Sequence, residues 1–230
     1  SGAVIPVTKH SYLVMDIKNL AKTIKEAFAI ARSGRPGPVL IDIPKDVQAE
    51  EYDFIYPEDP IKLPGENPLN REIDIKSLYA AAELIAKASR PVILAGHGIL
   101  LSGASKEVIE LSEKCDIPLS WTLLGSGAVP ASHNLNMGMM GMHGEFAANN
   151  AIQKADLLIA CGMRFDDRVT GNTKTYSLNS KKIHIEIDPS EINKNVPVDI
   201  ALVGDLKSVL RKLLPMLDKQ SNSKWIDSIS

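Results

Sequence analysis

Asp156-Leu157-Leu158-Ile159-Ala160-Cys161-Gly162-Met163-Arg164-Phe165-Asp166-Asp167-Arg168-Val169-Thr170-Gly171 passes in one step from an apolar run to a glycine, two arginines and two aspartates. A short apolar run bounded by turn residues reads as a strand buried on both faces, the condition of a parallel sheet. The charges then fall at the strand's carboxyl end, where open α/β sheets bind their ligands. The same Arg-Phe-Asp-Asp-Arg run, taken alone, is also what a solvated loop closing two weak surface ion pairs looks like. The surrounding pattern has to decide between them.

Upstream of this stretch, helical periodicity through Leu78, Ala81, Ala82, Ile85 and Ala86 leads into the strand Pro91-Val92-Ile93-Leu94-Ala95. A helix over residues 105–115 follows, then strands at 117–122, 156–161, 182–187 and 200–203, with helices at 145–154 and 206–217. Strands alternating with helices predict βαβ units and right-handed crossovers. The fold class is therefore α/β, a Rossmann-like parallel sheet with helices on both faces, preceded by a partial α/β domain. In that first part Asp16 caps a helix with apolar positions Ile17, Leu20, Ile24, Ala27, Phe28 and Ala31, which Gly34 stops. A strand over 38–44 comes next. Residues 47–72 carry prolines at 57, 60, 64 and 68 and no sustained period, which reads as a linker. The division expected is 1–47, a linker at 48–73, a central domain at 74–218 and a tail at 219–230, its end frayed.

Composition bounds the function. The 230 residues are 44% hydrophobic and 23% charged, with a formal net charge of −2. That balance gives no electrostatic footprint for nucleic acid or an anionic membrane, so neither is expected as a partner. No apolar run approaches the roughly 18 residues of a membrane span. Cys115 and Cys161 read as reduced core thiols in an intracellular setting.

Strand endings carry the chemistry of such a sheet. Here they are Gly96-His97-Gly98, Thr122-Leu123-Leu124-Gly125, Gly162-Met163-Arg164, Glu186-Ile187-Asp188 and Gly204-Asp205-Leu206. Glycines allow close backbone approach of a diphosphate, Arg164 can neutralise it, and the carboxylates suit sugar or ribityl hydroxyls. Gly96-His97-Gly98 lacks the third glycine of the dinucleotide fingerprint, and neither a P-loop nor a nucleophile elbow occurs. The histidines at 10, 97, 133, 143 and 184 show no metal-ligand spacing, and no metal ligand is assigned. Met137-Gly138-Met139-Met140-Gly141-Met142-His143-Gly144 reads alone as flexible core filler, or else as a soft wall for a flat ring.

Gly162-Met163-Arg164-Phe165-Asp166-Asp167-Arg168-Val169-Thr170-Gly171 resembles the GxRFDDRVTG signature of acetohydroxyacid synthase (acetolactate synthase), a thiamine-diphosphate enzyme family that also carries FAD. The Met142-His143-Gly144 segment resembles that family's MLGMHG motif, and Leu123-Leu124 its TTLxG segment, with Trp121 in place of the usual threonine. Ser33-Gly34-Arg35-Pro36-Gly37-Pro38-Val39-Leu40-Ile41-Asp42-Ile43-Pro44-Lys45-Asp46 resembles the end of the pyrimidine-binding domain across thiamine-diphosphate enzymes. The likeness covers residues 4–218.

The resemblance implies condensation of two pyruvates, or pyruvate with 2-oxobutanoate, to 2-aceto-2-hydroxy acids with loss of carbon dioxide. It implies FAD contacts at Arg35, Gly96, His97, Gly98, Thr122, Leu123, Met142, His143, Gly144, Gly162, Arg164, Asp166, Glu186, Ile187 and Asp205. It further implies a substrate channel near Lys45, Asp167 and Arg168. The family's catalytic glutamate and its GDG…N motif for thiamine diphosphate and magnesium do not occur here, so no catalytic residue is assigned. The chain is expected to be a pyrimidine-domain remnant plus a FAD-binding central domain, inactive alone. A dimer or tetramer, a regulatory subunit, and a cytoplasmic, plastid or mitochondrial location are expected of the parent. A pyruvate oxidase-like flavin oxidoreductase and a noncatalytic nucleotide-binding module remain as alternatives.

Overall fold

The computed structural model describes residues 2–63 and 72–229. The chain divides into two compact units, Ser1–Asn70 and Arg71–Ser230. Residues 64–71 of the expected linker lie outside the described residues.

In the first unit a 3-10 turn, Gly2–Val7, precedes β1 (His10–Leu13), α1 (Ile17–Arg32), β2 (Val39–Asp42) and the short α2 (Lys45–Ala49). β1 and β2 pair in parallel, His10 opposite Val39. Asp16 caps α1 by accepting the Lys18 amide. At the other end of α1 the Lys9 ammonium donates to the carbonyls of Ile30 and Ser33, a cation where the helix dipole and orphan carbonyls favour one. The stretch after α2 is tied back to α1: Lys25 donates to the carbonyls of Pro57 and Asp59 and stands 5.3 Å over the Tyr56 ring. Residues 48–63, expected as linker, thus include the end of α2 and a segment held to α1.

The second unit holds α3 (Ile75–Lys87), β3 (Pro91–Ala95), α4 (Gly98–Ser102), α5 (Ser105–Cys115), β4 (Leu119–Trp121), β5 (Asn136–Met139), α6 (Phe146–Lys154), β6 (Leu157–Cys161), α7 (Asp167–Thr170), β7 (Lys181–Glu186), β8 (Ile200–Val203), α8 (Leu206–Leu213) and α9 (Ser223–Asp227). Its six strands form one parallel sheet in the order β5-β4-β3-β6-β7-β8. Alternation along the strands divides the core. Ile93, Ile159, Cys161 and Ile185 face the layer that contains Leu78, Leu111 and Leu210, whereas Val92, Leu94, Leu158 and Ala160 face Ile152, Phe165 and Trp225. Helices therefore cover both faces, as the α/β pattern predicts. From β3 the chain steps outward through β4 to β5, returns to β6 beside β3, and steps the other way through β7 to β8. The reversal point lies between β3 and β6, which is where such sheets open a crevice.

Three local features depart from the sequence expectation. The segment holding Met137 forms an edge strand, β5, whose pairing with β4 is irregular; glycine and methionine give no strand signal there. The helix expected to reach residue 217 gives way at Leu213 to a 3-10 turn, Leu214–Met216, because Pro215 has no amide to continue it. The tail expected to fray instead forms α9. The Trp225 indole donates to the Pro91 carbonyl at 3.1 Å, and Asn222 bridges to the Asp116 carboxylate and the Cys115 carbonyl. A polar composition concealed one large apolar anchor.

Candidate functional site

Gly96 and Gly98 follow β3, and Gly162 follows β6, so the three glycines meet at the reversal point. A Cβ on Gly96 would stand 2.2 Å from the Gly162 oxygen. The amides of Gly96 and Gly98 donate to the carbonyls of Cys161 and Gly162 at 2.9 and 3.0 Å. Gly125, after β4, is equally confined: a Cβ there would lie 2.4 Å from the Ala95 oxygen. The two central loops thus touch backbone to backbone. Packing of the loops on one another alone demands glycine here.

Around this contact the sheet edge presents three kinds of chemistry. Arg164 is a half-exposed cation whose guanidinium stands 3.6 Å from the Asp166 carboxylate. Leu123, Leu124 and Met142 are apolar side chains held 73%, 63% and 59% exposed on the loops after β4 and β5. His97 and His143 are exposed on their loops.

The carboxylates are largely engaged within the fold. Asp205 caps α8 through the Ser208 amide and accepts the Ser102 hydroxyl at 2.8 Å, tying α4 to α8. Asp166 caps α7 by accepting the Arg168 amide at 3.1 Å. One oxygen of the buried Glu186 accepts the amides of Ile187 and Asp188 at 3.0 and 3.2 Å. Thr122 caps its turn by accepting the Gly125 amide.

The loop after β5 is fixed by Asn149, whose amide oxygen accepts the Gly141 N–H while its NH₂ donates to the Gly141 carbonyl, both at 2.9 Å. Gly144 packs against the Met139 carbonyl, where a Cβ would stand 2.5 Å away. Met142 and His143 therefore project from a rigid loop. The Met142 amide donates to the Arg168 carbonyl at 2.8 Å, which joins this loop to the one after β6. Asp167 and Arg168 begin α7 and are exposed.

The sheet thus brings together Gly96, His97, Gly98, Thr122, Leu123, Met142, His143, Gly144, Gly162, Arg164, Asp166, Glu186, Ile187 and Asp205 along one carboxyl edge. Arg35 and Lys45 belong to the first unit, at the turn before β2 and at the start of α2. Sequence reasoning passed over Asn149 and His184, the latter weighed only for metal spacing. The available signal lay in β7, where Lys182, His184 and Glu186 alternate with isoleucines as a buried polar stripe.

Residues 78–213 match the family model described as thiamine pyrophosphate enzyme, central domain. The chain belongs to the thiamine pyrophosphate enzymes. Within this family it is 47% identical to the probable acetolactate synthase large subunit of Methanocaldococcus jannaschii, over 99% of this chain and 39% of that protein. It is 43% identical to the acetolactate synthase large subunit of Corynebacterium glutamicum, over 98% of this chain and 37% of that protein. The probable large subunit of Methanococcus aeolicus is 42% identical over the whole chain. The chain spans about two fifths of the length of these thiamine pyrophosphate enzyme relatives.

Proposed function

We propose that this chain is the central part of an acetolactate synthase catalytic subunit, and that the carboxyl edge of its six-stranded sheet holds FAD. The observation that carries the first statement is the similarity to named large subunits across essentially the whole chain. For the second, the site offers what FAD requires: a sheet edge built on the glycine loops at Gly96, Gly98 and Gly162, one cation at Arg164, and exposed apolar side chains for a ring at Leu123, Leu124 and Met142.

In the whole protein the reaction is condensation of two pyruvates, or pyruvate with 2-oxobutanoate, with release of carbon dioxide for branched-chain amino acid synthesis. Thiamine diphosphate supplies the carbon–carbon bond chemistry when bound. Its GDG…N motif is not in this sequence, and the described residues bring no three His, Cys, Asp or Glu together as a metal site, so neither it nor magnesium is assigned to side chains here. FAD serves the fold of the site and undergoes no net redox change. Arg164 would bind and orient its phosphates, and Asp167 and Arg168, exposed at the start of α7, would line the 2-oxo acid channel of the complete, oligomeric enzyme.

Fluorescence titration of the full chain with FAD, beside FMN and NAD, tests the cofactor. Selective saturable FAD binding, markedly weakened but still measurable in Arg164→Ala, is the expected result; no binding by the folded chain sinks the assignment. Pyruvate added to the complete protein should give acetolactate with the flavin still oxidised. Stoichiometric flavin reduction would instead favour an oxidase.

A further inference from the structure

Immediately after β6 the backbone alternates sharply in burial. Met163 is 3% exposed and Phe165 2%, with the half-exposed Arg164 between them. The two carbonyls that bracket Arg164 are both held from β7 and the loop beyond it. The Met163 oxygen lies 2.7 Å from Nε2 of His184, and the Phe165 oxygen accepts the Asn195 side-chain amide at 3.1 Å. Phe165 has φ +51°, a conformation that a bulky residue keeps only when its surroundings enforce it. Its ring is gripped edge-on by His184 at 5.1 Å and by Tyr176 at 6.1 Å. The fully buried His184 thus holds both the carbonyl before Arg164 and the ring after it.

We infer that His184 and Asn195 are positioning residues that aim the Arg164 guanidinium at the sheet edge by fixing the backbone on either side of it. The inference rests on the reading of Arg164 as the FAD phosphate contact. Each acts through a carbonyl, and the fully buried His184 presents no surface to a ligand. The competing restraint on Arg164, the Asp166 carboxylate at 3.6 Å, is a half-exposed pair that holds a side chain weakly. Without the His184 donor the Met163 carbonyl loses its partner and the strained Phe165 backbone relaxes, so Arg164 samples orientations that do not bind.

The test is a double-mutant cycle read by FAD affinity in the full chain, with near-ultraviolet circular dichroism showing each variant folded. His184→Leu and Asn195→Ala should each weaken FAD about tenfold, the worth of one hydrogen bond at the upper end of its usual range. In the Arg164→Ala background both should change affinity less than about twofold, since the group they aim is gone. His184→Gln, which keeps a donor near the Nε2 position, should restore most of the loss. Equal losses with and without Arg164, or unchanged affinity in folded His184→Leu and Asn195→Ala, overturn the positioning role and leave the cofactor reading standing. Should His184→Leu not fold, the Asn195→Ala arm decides by the same criterion. Wild-type chain that takes up no FAD, or Arg164→Ala that binds it as wild type does, overturns the cofactor reading and the positioning role with it.

Discussion

Gly98 and Gly162 leave each other no room for a side chain: a Cβ on Gly162 would stand 2.6 Å from the Gly98 Cα, and one on Gly98 2.7 Å from the Gly162 Cα. Gly162 also has φ +61°, so alanine there meets backbone strain and overlap together. Gly103 offers the comparison, a left-handed helix cap at φ +63° whose nearest neighbour is the flexible end of Lys207 at 4.0 Å. Gly103→Ala should cost about 1–2 kcal/mol, the penalty of the left-handed region alone. Gly162→Ala should cost more than that and weaken FAD binding, because relieving the overlap moves the loop that carries Arg164. Urea unfolding of the two variants checks the difference; equal losses would mean that the loop contact contributes nothing.

How much of this was legible in the sequence depended on where local and tertiary signals agreed. β3 and β6 are continuous apolar runs buried on both faces, and their spans follow directly from the letters. α1 runs from its Asp16 cap to just before Gly34, and α5 covers 105–115, both as the letters indicate. β5 was hidden because its strand character comes from pairing with β4, while its own Asn-Met-Gly-Met favours no strand. Of the candidate site, the glycines and Arg164 could be placed by the rule of strand endings. That Asp205, Asp166 and Glu186 accept hydrogen bonds within the fold, and that His184 and Asn149 hold the loops, depends on partners tens of residues away or on geometry that spacing does not encode.

Trp225 is 5% exposed and packs in the layer with Val92 and Ile152. Trp225→Ala removes a large buried ring and strips the Pro91 carbonyl of its donor, so a loss of about 3–5 kcal/mol is expected. Denaturant unfolding measures the loss. Hydrogen exchange should show amides 225–229 protected in wild type and exchanging freely in the variant. A frayed tail would give neither result.

His184 also sets a pH dependence. Burial pushes its pKa below 6.5, opposed in part by the Met163 carbonyl and the Glu191 charge, and its Nδ1 is buried without a hydrogen-bond partner. Protonation would therefore place an unpaired N–H in the core. Because the folded pKa lies below the unfolded one, the unfolded chain binds this proton first, and stability falls as pH drops below 6.5. The slope from this group is at most about 1.4 kcal/mol per pH unit. Unfolding free energies of wild type and His184→Gln should converge between pH 7.5 and 5.5 as the wild type alone loses this increment; parallel profiles would show that the imidazole is not held neutral.

The two cysteines report on different parts of the second unit. Cys161 ends the central strand β6, fully buried between Ala95 and Ile185, and burial lifts its thiol to about 12. Cys115 ends α5, with its thiol lifted to about 11 by burial against the opposing charge of Lys114. Its carbonyl accepts the Asn222 side chain, and its Sγ lies 4.0 Å from the Asp218 carbonyl, so the tail lies over it. Neither thiol has thiolate character near neutral pH, and both should resist a disulfide reagent until the chain opens. Cys161 requires opening of the sheet, whereas Cys115 requires only that the tail lift. Trp225→Ala should therefore speed Cys115 labelling well beyond that of Cys161, resolved by peptide mass spectrometry at pH 8. Equal acceleration at both sites would show that the tail and sheet open as one unit.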